Sequence, residues 1–275
     1  MIYVVILLLA VLLVISCQLS PSGEKGDPLV NGFLFYPTPY DPRDWEEPEF
    51  AYEDVTLTAS DGVKINAWYL QAENPKAYVL FSHGNAENLS VWGYAAEKMR
   101  SRLGVSVLIY DYRGYGKSEG KPSVPGILKD GRAARDWLCE RESRKPGELV
   151  YCGRSLGGAV AIDLAVETGA KGLILESTFT SLPDMAKKMV PAAPRSAIRY
   201  KLDSLESIKK YTGPLLHCHG DADTVVPFEQ GVQLFKACSS EHKKFVPLAG
   251  LDHNDSLPES YRKQQERFLE SITAD

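Results

Sequence analysis

The sequence predicts an α/β fold in which a mostly parallel central sheet carries helices on both faces and opens with an antiparallel hairpin. Three observations carry this reading. Residues 55–58 and 63–70 flank Asp61-Gly62, a dipeptide suited to the tight turn between two antiparallel strands. Beyond them, short β-branched or apolar runs alternate with stretches of helical length, and such alternation closes as parallel strands joined by right-handed crossovers. Finally, 275 residues that are 44% hydrophobic and 24% charged suffice for one large core. Such a core buries roughly 70–75% of the unfolded chain's surface and excludes disordered and fibrous classes.

The chain opens on an apolar run, residues 1–15, that ends in Ser16-Cys17. A run of this length suits a secretory segment better than a spanning helix. It resembles a bacterial lipoprotein signal, which implies lipidation of Cys17 and an exported, membrane-anchored protein of the cell envelope. An uncleaved short anchor is the alternative. Residues 18–50 read as a tether in which Pro21, Pro28, Pro37, Pro39, Pro42 and Pro48 oppose regular helix or central strand. Within it Phe33-Leu34-Phe35-Tyr36 is too apolar for a solvated linker and is expected to pack on the domain.

The domain proper is expected over residues 51–275. After the hairpin, strands are predicted at 77–82, 105–110, 149–152, 172–175, 215–218 and 244–246. Helices are predicted at 89–102, 124–141, 155–167, 228–237 and 256–272. In parallel sheets ligands sit beyond the carboxyl ends of the strands, so residues directly after strands are the candidates for chemistry.

After the strand at 149–152 comes Gly153-Arg154-Ser155-Leu156-Gly157-Gly158, followed by a helix rich in small residues. The pattern G-x-S-x-G alone is weak; a strand before it and a helix after it make it the turn that presents a nucleophile. Glycines at 153 and 157 remove side chains where strand and helix approach. Ser155 is the candidate nucleophile. A serine hydroxyl needs a histidine to take its proton and a carboxylate to hold that histidine. Among the five histidines, His83 precedes Ser155, His217 lies inside a strand, His219 borders Gly220, and His242 sits in a charged turn. His253, between the last strand and the last helix, is the candidate base. For the acid, Asp221 and Asp223 compete in the loop after the strand at 215–218, with Glu176 a rival from the preceding strand. An oxyanion needs two aimed backbone donors. Leu156 N–H, directly after the nucleophile, is one; Asn85 N–H, in the His83-Gly84-Asn85-Ala86 loop, is the other.

Some chemistries are excluded. With 31 Lys and Arg against 36 Asp and Glu, the net charge of −5 offers no footprint for nucleic acid. The five cysteines have neither disulfide-scaffold density nor metal-ligand spacing. The run from Asp111 to Ser118 contains Gly-Lys-Ser, but a phosphate loop needs glycine where Asp111 stands.

Taken with Ser82–Ala86, Tyr110–Ser118, Glu176–Ser181, Gly220–Asp223 and Asp252–Asp255, the Ser155 motif makes the chain similar to the α/β-hydrolase-fold serine hydrolases. The likeness is to the small-cap, serine-aminopeptidase-like subgroup. It spans roughly residues 51–272. The resemblance implies an α/β-hydrolase fold and a triad of Ser155, Asp223 and His253, the acid standing four residues before Pro227. It also implies no metal or organic cofactor and a substrate that is a carboxylic ester or thioester, acyl or lipid esters among them. A short cap is expected near 178–211. There Phe179, Met185, Met189, Val190 and Ile198 either face an acyl chain or fill the core. A peptidase or amidase on the same triad, acyl transfer, and a non-catalytic scaffold on the same fold are the alternatives.

Overall fold

The computed structural model describes residues 28–45, 47–189 and 198–274. Its main sheet has eight strands in the order β10-β9-β8-β7-β4-β6-β3-β2. In chain order these are β2 (Glu53–Thr58), β3 (Lys64–Leu70), β4 (Tyr78–Ser82), β6 (Ser106–Tyr110), β7 (Val150–Arg154), β8 (Gly172–Glu176), β9 (Leu215–Gly220) and β10 (Lys243–Leu248). Only β3 runs against its neighbours, pairing antiparallel with β2 and β6; every other pair is parallel. Both faces are covered, so alternate side chains along one strand feed two cores. Leu80, Tyr110, Tyr151, Leu173 and Leu215 pack under α3 (Val124–Glu142) and α4 (Leu156–Thr168). Val79, Phe81, Ile109, Cys152, Ile174 and Cys218 pack under α2 (Leu89–Leu103) and α8 (Glu259–Thr273). Of two further helices, α6 (Ser204–Ile208) packs against α4 and α7 (Phe228–Ala237), and α7 packs against β9.

Differences from the sequence expectation have local causes. The last strand extends through Pro247 because β10 is the sheet edge, where a missing N–H breaks no ladder. The last helix begins after Pro258, later than expected, because proline's fixed φ suits the entry to a helix and not its interior. The tether is less irregular than its prolines suggested. It contains α1 (Pro28–Leu34), with proline at its first described position, and β1 (Tyr36–Pro37), which pairs in parallel with β5 (Ala86–Glu87). Phe35 is buried, whereas Phe33 and Tyr36 stay exposed.

The expectation of a membrane-anchored, exported lipoprotein is corrected. Among the described residues no helix is long and apolar enough to cross a membrane. The longest, α3, has 19 residues but carries Lys129, Asp130, Arg132, Arg135 and Asp136 in its middle. The apolar α4 has 13 residues, about 20 Å of helix against a hydrocarbon core of about 30 Å. Cys17 and the run before it lie outside the described residues. The membrane partner, the lipoprotein signal and the envelope location are therefore withdrawn.

Candidate active site

β7 and β4 occupy the middle of the sheet, and the loops beyond their carboxyl ends meet those following β9 and β10. Leaving β7, the backbone must reverse into α4 within one residue. Ser155 absorbs that reversal at φ 52° and ψ −116°, a conformation costing of order 1–3 kcal/mol for a residue with a side chain. The close approach behind it requires glycine. A Cβ at Gly153 would lie 2.2 Å from Gly157 O, and one at Gly157 would lie 1.9 Å from Ser82 O. Three hydrogen bonds hold the turn. Ser155 N–H donates to Glu176 O at 2.8 Å, Gly158 N–H to Ser155 O at 3.0 Å, and Thr178 Oγ1 to Ser155 O at 2.7 Å. Gly157→Ala is expected to destabilise the protein by about 3 kcal/mol, since the methyl meets backbone that cannot rotate away. A lowered urea midpoint at unchanged slope checks this.

The structure brings Ser155, His253 and Asp223 together. Ser155 Oγ lies 3.1 Å from His253 Nε2, and His253 Nδ1 lies 2.7 Å from Asp223 Oδ2. All three residues are buried. The other Asp223 oxygen, Oδ1, accepts the N–H groups of Val225 and Val226 at 2.9 and 2.7 Å. Burial by itself would raise the Asp223 pKa. Hydrogen bonds from His219 and His253, the charge of His253 and the Val226 N–H outweigh burial and hold the carboxyl well below the ordinary carboxylate range.

The competing residues are committed elsewhere. Asp221 Oδ1 accepts Gly250 N–H at 2.6 Å and shapes the turn. Glu176 is buried at the end of β8 against Gln265, which donates to it at 3.1 Å. His219 approaches the same Asp223 oxygen as His253, its Nε2 at 3.3 Å from Oδ2 and 2.9 Å from Val226 O. His217 is fully buried, and burial first, then the neighbouring His219, lowers its pKa to about 3, so it stays neutral. His242 precedes β10, at the opposite end of the sheet from the loop that carries His253.

Leu156 is the first residue of α4, directly after Ser155, and Asn85 is held by hydrogen bonds on both sides of its peptide. His83 Nδ1–H donates to Gly84 O at 2.7 Å. The peptide is trans and planar, so pinning that carbonyl also fixes the direction of the Asn85 N–H. Tyr112 Oη donates to His83 O at 2.8 Å, and Tyr115 Oη to Asn85 O at 2.7 Å. Asn85 O also receives Tyr36 N–H at 2.9 Å, while Asn85 Nδ2 donates to Leu34 O at 2.9 Å. The Asp111–Ser118 run, uninformative as a phosphate loop, thus supplies the tyrosines that brace the Asn85 loop. Its Arg113 is clamped between Asp61, at 2.9 Å, and the buried Asp130, at 2.8 Å.

Sequence reasoning missed the residues that hold the histidine loop. Asp252 Oδ1 accepts from Thr224 N–H and from His253 N–H, each at 2.7 Å, so the acid and base loops are tied together. Arg154 reaches across from the elbow to His253 O. No spacing rule finds such contacts, because they join loops remote in sequence through main-chain atoms. In the expected cap, Phe179 is buried in the domain's core, and Met185 and Ile198 pack against that core. Met189 stands at the end of α5 (Leu182–Met189). The Met189 side chain and the whole of Val190 lie outside the described residues. Among the described residues no group of three or more His, Cys, Asp or Glu could hold a metal ion.

Known proteins share this arrangement of chain. Residues 73–203 match the family model described as "Serine aminopeptidase, S33". An uncharacterised protein of Mycobacterium tuberculosis is 36% identical over 208 residues, covering 74% of this chain and 73% of that protein. Protein bem46 of Schizosaccharomyces pombe is 36% identical over 222 residues, 77% of this chain and 74% of its own. The α/β hydrolase domain-containing protein WAV2 of Arabidopsis thaliana is 34% identical over 242 residues, 80% and 79% of the two chains. Among solved structures, the Pyrococcus furiosus esterase Pf2001 superposes with a TM-score of 0.70 at 20% identity, over 88% of this chain and 98% of that one. Est1E of Butyrivibrio proteoclasticus, solved with ferulic acid, gives 0.68 at 23%, over 80% and 100%. Sheet order, elbow geometry and sequence relatives agree: the chain belongs to the α/β-hydrolase family of serine hydrolases.

Proposed function

We propose that the protein is a serine hydrolase that cleaves carboxylic esters or thioesters through an acyl-enzyme, with residues 51–275 as the catalytic unit and a short cap near 178–211. The observation that carries the reading is the unbroken relay from Ser155 Oγ to His253 Nε2 at 3.1 Å and from His253 Nδ1 to Asp223 at 2.7 Å. Asp223 accepts a hydrogen bond from Nδ1–H, which keeps the proton on Nδ1 and leaves Nε2 free as the base. Ser155 Oγ gives its proton to Nε2 as it attacks the acyl carbon. The amides of Leu156 and Asn85 stabilise the oxyanion of the tetrahedral intermediate. His253 then passes the proton to the leaving alcohol or thiol, and a water activated by the same ring releases the acid. The names of the structural neighbours, esterases among them, favour esters over amides.

The same relay serves peptide bonds, and the family model is described as a serine aminopeptidase. Two panels separate the readings: p-nitrophenyl esters of increasing acyl length, and aminoacyl p-nitroanilides. The ester kcat/KM is expected to exceed the anilide value by at least about 10²-fold, which is about 2.7 kcal/mol of barrier. The reverse order would make the protein a peptidase.

A further inference from the structure

We propose that Arg154 is a positioning residue that locks the histidine loop to the nucleophile elbow and so sets the path of the His253 proton. The proposal rests on the serine-hydrolase reading above. Arg154 is the last residue of β7 and the immediate neighbour of Ser155. Its Nη2 donates to His253 O at 2.7 Å and reaches Asp255 O at 3.3 Å. Its guanidinium lies 5.8 Å from the Trp92 ring centroid. Trp92 in turn donates from Nε1 to Ala86 O at 2.9 Å and stacks on His83, in the loop that carries Asn85. One side chain therefore links the elbow, the base loop and the Asn85 loop.

The geometry explains why the link is an arginine. Nη2–H groups bridge two carbonyls while the planar face rests near an aromatic ring; an ammonium on a flexible stem cannot keep both contacts in one arrangement. It also explains why the link matters. His253 is fixed at its N–H by Asp252, at Nδ1 by Asp223, and at its carbonyl by Arg154. The third contact springs from the residue covalently joined to the nucleophile, so it sets the height of the ring above Ser155 Oγ. Without it the ring can still pivot about the Asp223 bond. Proton transfer to a departing alkoxide, which demands an aimed imidazolium, suffers most.

The test compares kcat/KM for an alkyl ester and a p-nitrophenyl ester of the same acid, in the full chain and in Arg154→Met and Arg154→Lys. p-Nitrophenolate departs with little help from an acid, whereas an alkoxide needs the proton. Arg154→Met is expected to lose about 10–100-fold on the alkyl ester, the scale of a 1 Å misplacement. Its loss on the aryl ester is expected to be about tenfold smaller, and Arg154→Lys to recover part of the alkyl activity. Equal losses on both esters, or none, would overturn the proposal, because a smaller folded fraction scales both substrates alike. If Arg154→Met does not fold, the same ratio is read on Arg154→Lys. Wild-type protein that hydrolyses neither ester points instead to failure of the hydrolase reading.

Discussion

Ser155→Ala lowers kcat on an ester substrate by about 10⁴–10⁶-fold, the scale seen when one member of a triad acting as a unit is lost. The effect is this large because, among the described residues, the hydroxyl hydrogen-bonded to His253 Nε2 is Ser155 Oγ, at 3.1 Å. The fold is expected to survive. The elbow is held by main-chain contacts of Ser155, from Glu176 O, Gly158 N–H and Thr178 Oγ1, and the Ala variant keeps all three. A thermal midpoint close to wild type, alongside the lost turnover, checks both halves of the expectation.

Asp223→Asn is expected to cost about 10³–10⁴-fold in kcat. Its carbonyl oxygen can still accept the Val225 and Val226 N–H groups, so the loop keeps its shape. The new amide then turns an N–H toward His253 Nδ1. To avoid donor against donor, the ring takes the tautomer with its proton on Nε2, where it cannot receive the Ser155 proton. Glu176→Gln and Asp221→Asn, which lie outside the relay, are expected to change kcat by no more than about threefold. The sign of the pH effect follows from the depressed Asp223 pKa. Its stabilising contribution is fully present above its ordinary value of 3.8 and is lost as pH falls through its lower folded value. A fall in activity above pH 4 therefore does not come from protonation of Asp223.

Much of the site was legible in the sequence because its chemistry is local. Gly153 and Gly157 are dictated by backbone contacts within the turn they flank, and Ser155 follows from its place between strand and helix. His253 could be chosen from five histidines by its position after the last strand alone. Choosing between Asp221 and Asp223 needed the family resemblance, since both stand in one turn and only the fold aims one at the ring. What stayed hidden depends on contacts between distant loops. Arg154 carries no signal beyond being the variable residue of the motif, and the bracing tyrosines at 112 and 115 lay in a run that first reads as a failed phosphate loop. The short helix at Pro28 was hidden for another reason: proline excludes helix interiors but suits their first turn.

The most direct measurement is a mass map of the full chain after treatment with a fluorophosphonate, which phosphonylates a serine with loss of fluoride only where a base and an oxyanion site activate it. The expected result is one adduct, on the peptide holding Ser155, absent in Ser155→Ala and strongly slowed in His253→Ala. An unmodified Ser155, or an adduct on another residue with Ser155 free, would contradict the assignment of this serine as the nucleophile.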